Sequence, residues 1–136
     1  MSAFEAVKTL SCIAGSDFTG DIYKLVVFDA AGHPPTVELS AAAGDDPIGV
    51  ITMEAESGQV CSMMDLAAGG IGKVKAGGSI TAGQVLIPAA GGLVTGTTKA
   101  ALADGVTAIG IALTAGDSGD VISFKAQLME RSNDAA

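Results

Sequence analysis

The stretch IGVITMEAESGQVCSM, Ile48 to Met63, returns as IGIALTAGDSGDVISF, Ile109 to Phe124, without a gap and at an offset of 61 residues. Ile48/Ile109, Gly49/Gly110, Ser57/Ser118, Gly58/Gly119, Val60/Val121 and Ser62/Ser123 are identical pairs. Upstream, AGSDFT from Ala14 matches AGGSIT from Ala76 at an offset of 62, and DAAG from Asp29 matches PAAG from Pro88 at 59. Small insertions and deletions between the blocks account for the drift. A repeat of this length dictates architecture before any single residue does. The chain therefore divides into an N-terminal arm (1–13), a domain of two copies (about 14–66 and 70–128, together 14–128), and a polar tail (129–136).

Both copies read as β structure. IYKLVVF, Ile22 to Phe28, is rich in β-branched and aromatic residues, and the runs from Val60 and Val121 alternate with period two, placing Val60, Ser62, Val121 and Ser123 on one face. Ala-Gly, Gly-Gly and Asp-Gly dipeptides between the runs supply the positive φ that tight hairpins require. TTKAALAD, Thr97 to Asp104, is the one helical candidate, short and weakly amphipathic. The expected fold is mostly β, a small sandwich or barrel built from two repeated halves.

Composition agrees. The 136 residues can hide roughly two thirds of the surface their unfolded chain exposes. Hydrophobic residues make up 49% of the chain, aromatics only 4%, and Trp is absent, so the interior is built from small aliphatic side chains that suit thin β layers. A formal charge of −8 opposes contact with nucleic acid. No apolar run approaches a membrane span, and MSAFEAVKTL lacks the build of a signal peptide, so a soluble protein made in a cytoplasm is expected. Cys12 and Cys61 occur in no metal-ligand spacing, which predicts two buried free thiols.

The reactive-looking motifs have plainer readings. GDSG, Gly116 to Gly119, matches the frame of a nucleophilic serine, but Ser118 stands where Ser57 stands in the other copy. Both belong to an acidic-Ser-Gly-polar sequence entering a Val-led strand, which is the composition of a turn. A nucleophile also needs a His–Asp pair, and the single histidine, His33, lies in the Gly-Pro loop AGHPP. GGIGKVKAGG, Gly69 to Gly78, fails phosphate-loop spacing, because Ala67 occupies the position of the required glycine and Val74 that of the hydroxyl. Asp45 and Asp46 are neighbours that diverge on an extended chain, as expected of a solvated loop. Of Met63 and Met64, the alternation turns one inward. No catalytic residue, metal site or cofactor is predicted. The alternative reading is a biotinyl- or lipoyl-carrier domain, to which VKAGGSITAGQVL, Val74 to Leu86, is similar. Such a carrier presents a lysine at a hairpin tip, whereas no lysine occurs between Lys24 and Lys73.

YKLVVFDAAG, the segment ending DPIGVITMEAESGQV, and the second copy GSITAGQVLIPAAGGLV…TAIGIALTAGDSGDVISF together resemble the head-decoration, or capsid cement, proteins of tailed bacteriophages. The resemblance runs from about Ala14 to Phe124. It implies a non-enzymatic virion protein on the outer surface of the expanded head, made in the host cytoplasm, partnered by the major capsid protein and by itself as a homotrimer. It further implies an arm that adds a strand to a capsid sheet. Ser2, Ala3, Phe4, Glu5, Ala6, Val7 and Lys8 form the candidate arm, with Phe4 and Val7 as its anchors.

Overall fold

The computed structural model describes residues 8–29 and 36–130. Ten strands form two five-stranded sheets, one per copy. The first copy contains β1 (Thr9–Ala14), β2 (Leu25–Asp29), β3 (Thr36–Leu39), β4 (Pro47–Met53) and β5 (Val60–Asp65), joined in the order β1-β3-β2-β4-β5 and closed into a barrel. After a single 3-10 turn at Leu66–Ala68, the second copy contributes β6 (Gly70–Lys75), β7 (Val85–Pro88), β8 (Val94–Thr97), β9 (Thr107–Ala112) and β10 (Val121–Glu130), in the order β6-β10-β9-β7-β8. Placing β6 on β1, β7 on β2, β8 on β3, β9 on β4 and β10 on β5 gives each strand of the second copy the same neighbours, with the ring left open between β6 and β8.

The repeat holds down to single hydrogen bonds. Ala14 donates its N–H to Gln59 O and receives the N–H of Gly58, both at 2.8 Å. Ala76 does the same with Asp120 O and Gly119 N–H, again at 2.8 Å. Gly58 and Gly119 have φ of 86° and 91°, the left-handed region that a side chain would oppose. Gly15 donates to Val37 O and Gly77 to Val94 O. These last bonds mark the seam of each copy. In the first, Ile13↔Thr36 and Ala14↔Val37 close the barrel in parallel register. In the second, the single bridge Ala76↔Val94 stands at that place.

The copies pack face to seam. Val26, Val37, Ile51, Cys61 and Met63 fill the first barrel, with Phe18 closing one end. Their counterparts Leu86, Val94, Ala112, Ile122 and Phe124 form the interior of the second copy, and they are joined there by Leu25, Val50, Met64 and Leu66 from the outside of the first. Gly72, at the position of Leu10, makes this possible: a Cβ there would collide with the Met64 thioether. A smaller cluster of Val85, Leu102 and Ala108 lies on the far side of the second sheet.

Several sequence expectations change. Thr9–Ala14, most of it assigned to the arm, is the strand β1, because its residues pair with β5 from Thr9↔Met64 to Ile13↔Val60. Strand β10 runs on to Glu130, past the expected boundary at 128. The predicted strand at Ile22 begins only at Leu25, since Tyr23 takes a φ of 72°. Thr97 to Asp104 forms no helix; turns capped by the Thr98 hydroxyl, which accepts the Ala101 N–H at 3.1 Å, replace it. Val60 and Ser62 share a face of the first copy and Val121 and Ser123 the same face of the second, but it is the outer one, and Cys61, Met63, Ile122 and Phe124 point inward. Met63 and Met64 are both buried, on opposite faces, because the outer face of the first barrel is covered by the second copy.

Candidate interaction surfaces

The residues singled out for chemistry serve the turns. Ser57 and Ser118 are exposed at the two equivalent hairpins. The residue after each glycine caps the turn with its side chain: Gln59 Oε1 accepts the Glu56 N–H at 3.0 Å, and Asp120 Oδ2 accepts the Asp117 N–H at 2.9 Å. Asp45 accepts the N–H groups of Ala41 and Ala42 at 2.6 and 3.0 Å, closing the loop before β4. Asp46 points elsewhere, toward the Thr107 hydroxyl at 3.2 Å, so the two carboxylates diverge and the loop is tied to the second copy. Asp17 accepts both the hydroxyl and the N–H of Thr19, and these bonds hold its carboxyl below the usual value of 3.8. Among the described residues no group of three His, Cys, Asp or Glu is gathered where a metal could bind. His33 lies outside them.

Cys12 and Cys61 face each other across β1 and β5 as free thiols. Cys61 is buried as expected, whereas Cys12 is only half-buried, because β1 turns it toward the barrel near an edge of the interior. Burial pushes the Cys61 thiol up, with the neighbouring Cys12 adding to the effect.

Of the candidate arm, Lys8 is exposed, and its carbonyl accepts the Asp65 N–H at 2.8 Å, so the β1–β5 ladder extends to the first described residue. Ser2, Ala3, Phe4, Glu5, Ala6 and Val7 lie outside the described residues. A cavity of about 190 Å³ opens where the copies meet, lined by Thr9, Tyr23, Val50, Thr52, Met64, Gly72 and Lys73.

What the sequence reading missed is a division of charge between the copies. Residues 9–65 carry nine carboxylates against one lysine, a net −8, while residues 70–130 carry four of each and sum to zero. The division is visible on the exposed surface of each copy. On the first copy the β4–β5 hairpin exposes Met53 (61%) and Val60 (64%) beside the exposed carboxylates of Glu54 and Glu56. On the second, the outside of β6, β10 and β9 exposes Ile71 (64%), Leu113 (45%) and Val121 (43%) among Lys73, Lys75 and Lys125. Lys73 replaces Ser11, Lys75 replaces Ile13, and Lys125 replaces Met64, the residue through which the first copy packs on the second. Among the described residues the one ion pair is Lys24–Asp21, at 2.8 Å, so these three lysines have no carboxylate partner there. Summing charge copy by copy, rather than over the chain, would have revealed the contrast.

No family model matches the chain, and no curated protein matches it. Among solved structures it is similar to the head fiber gp8.5 N base of bacteriophage phi29, with a TM-score of 0.67 and 18% identity, over 94% of this chain and 100% of that one. At that identity the likeness is one of fold.

Proposed function

We propose that this protein is a decoration, or cement, protein of a tailed-phage head. In this reading it sits as a homotrimer on the outer surface of the expanded shell, contacts the major capsid protein, and bridges neighbouring subunits against the pressure of packaged DNA. Its role is structural and non-enzymatic. The observation that supports it is the shared fold, along nearly the whole chain, with the base of a phage head fiber.

The mechanism is linkage. A protein that binds one state of the shell and not the other lowers the free energy of that state by RT ln(1 + [L]/Kd), about 2.7 kcal/mol per site at a hundredfold excess over Kd. Many sites on one shell add, and attachment at several points raises the effective affinity of each copy, so individual contacts can be weak. A barrel and a five-stranded sheet fused through a shared core suit such a load, because separating the copies would expose Leu25, Val50, Met64 and Leu66 together. In this reading residues 2–7, which precede Lys8 in the sequence, supply a further contact by pairing with a shell strand.

The test is to heat DNA-filled heads with and without bound protein and follow DNA release. Saturation should raise the release temperature; release at an unchanged temperature from saturated heads would refute the stabilising role.

A further inference from the structure

The two copies expose apolar side chains beside charges of opposite sign, on different surfaces: the β4–β5 hairpin of the first and the outer sheet face of the second. On the first copy Met53 and Val60 are flanked by Glu54 and Glu56, and on the second Leu113 and Val121 are flanked by Lys73 and Lys125. Exposed apolar groups gathered on one sheet face mark a contact surface. The lysines beside them lack partners among the described residues, and Asp117 and Asp120 lie at the hairpin end, with Asp120 engaged within the turn. The first copy already buries this face: its Leu25, Val50 and Met64 lie in the shared core. At those positions the second copy has Val85, Ile111 and Lys125, and of these Lys125 is exposed.

We infer that the lysine-bearing outer face of β6–β10–β9 docks on the acidic β4–β5 hairpin of a second copy of this chain. The two patches lie on different parts of one molecule, so the contact is heterologous: each molecule offers one patch of each kind, and closure of the resulting chain of contacts gives a ring. Charge complementarity selects the pairing, since lysine face against lysine face and hairpin against hairpin both place like charges together. Burial of Met53, Val60, Leu113 and Val121 supplies the apolar part of the contact. The inference deepens the reading of the protein as self-associating, and it concerns the isolated chain, so it stands or falls separately from shell binding.

Sedimentation velocity of the full chain at low and high salt tests it. Wild type should assemble at low salt and dissociate as salt is added. K73E/K125E and E54K/E56K should each weaken assembly by about tenfold or more, and an equimolar mixture of the two variants should assemble more strongly than either alone, because each contact between unlike variants is complementary, two of the three in a mixed trimeric ring. Thermal unfolding of each variant like that of wild type shows that the fold is intact. A monomeric wild type, assembly of both variants as strong as wild type, or a mixture no better than its components would overturn the inference.

Discussion

Tyr23 stands in the first copy where Gly83 stands in the second. Both hold the left-handed region, at φ 72° and 93°, and both donate a backbone hydrogen bond to the strand that pairs with the next one, Tyr23 to Ile51 O of β4 at 2.8 Å and Gly83 to Ala112 O of β9 at 2.7 Å. Tyr23 also accepts the Lys75 N–H through its carbonyl at 2.8 Å, and its ring packs against the core shared by the copies. The first copy thus accepts a strained residue at the point where the second copy needs a contact. Ring removal should cost about 2 kcal/mol, and glycine should recover about 1 kcal/mol of backbone strain. Tyr23→Gly is therefore expected to destabilise less than Tyr23→Ala, by about 1 kcal/mol, the reverse of the usual order. Urea unfolding of the two variants decides it, and Ala at or above Gly would show that the φ carries no strain.

Gly49 and Gly110, identical in the repeat, answer a different demand. A Cβ on Gly49 would lie 2.7 Å from Met64 O, and one on Gly110 would strike the equivalent carbonyl, Lys125 O. Backbone cannot yield as a side-chain tip can. Gly49→Ala and Gly110→Ala should each destabilise by about 2–3 kcal/mol. Gly105→Ala, at an open position with φ 80°, should cost only about 1 kcal/mol. Equal losses at all three sites would contradict the packing argument.

The thiols should differ in reactivity. Cys61 is buried with its thiol pushed up, while Cys12 is half-buried, so alkylation of the native protein should label Cys12 first and Cys61 only on unfolding. The sign for stability follows. A group whose folded value is raised supports the fold below its unfolded value, here the usual thiol value of 9.0, and that support is lost as pH rises through the raised one. Stability should therefore hold to about pH 8 and decline above 9, and Cys61→Ser should flatten the decline. Label appearing first on Cys61 would contradict this placement.

Truncation isolates the arm. Removing residues 2–7 leaves β1 and its pairing with β5 intact, so the unfolding midpoint should not change. Affinity for expanded shells should fall by about tenfold or more, the loss expected when an added strand is withdrawn. Unchanged affinity would remove Phe4 and Val7 from the contact.

The repeat was the most legible feature of the sequence, because Ser-Gly turns and the Ile-Gly strand openings are demanded twice by the same backbone geometry. It placed the halves and reduced Ser118 to a turn. It did not reveal that β1 begins at Thr9, since β1 has no matching block beyond Ala14 and its partner strand lies about fifty residues away. The inward direction of Cys61 and Ile122, rather than Val60 and Val121, depends on which face meets the barrel interior, and alternation alone is symmetric in that choice. Burial of Met64 needed knowledge of how one copy sits on the other. The lysine face was written in the sequence but dispersed, at Lys73, Lys75 and Lys125, and only pairing of β6 with β10 brings it together.

The proposed role on a tailed-phage head is tested most directly by cosedimentation of the purified chain with expanded and unexpanded heads, quantifying bound copies at saturation. The account predicts stoichiometric, saturable binding to expanded heads and little to unexpanded ones. Absence of binding to both, or equal binding to both, would contradict it.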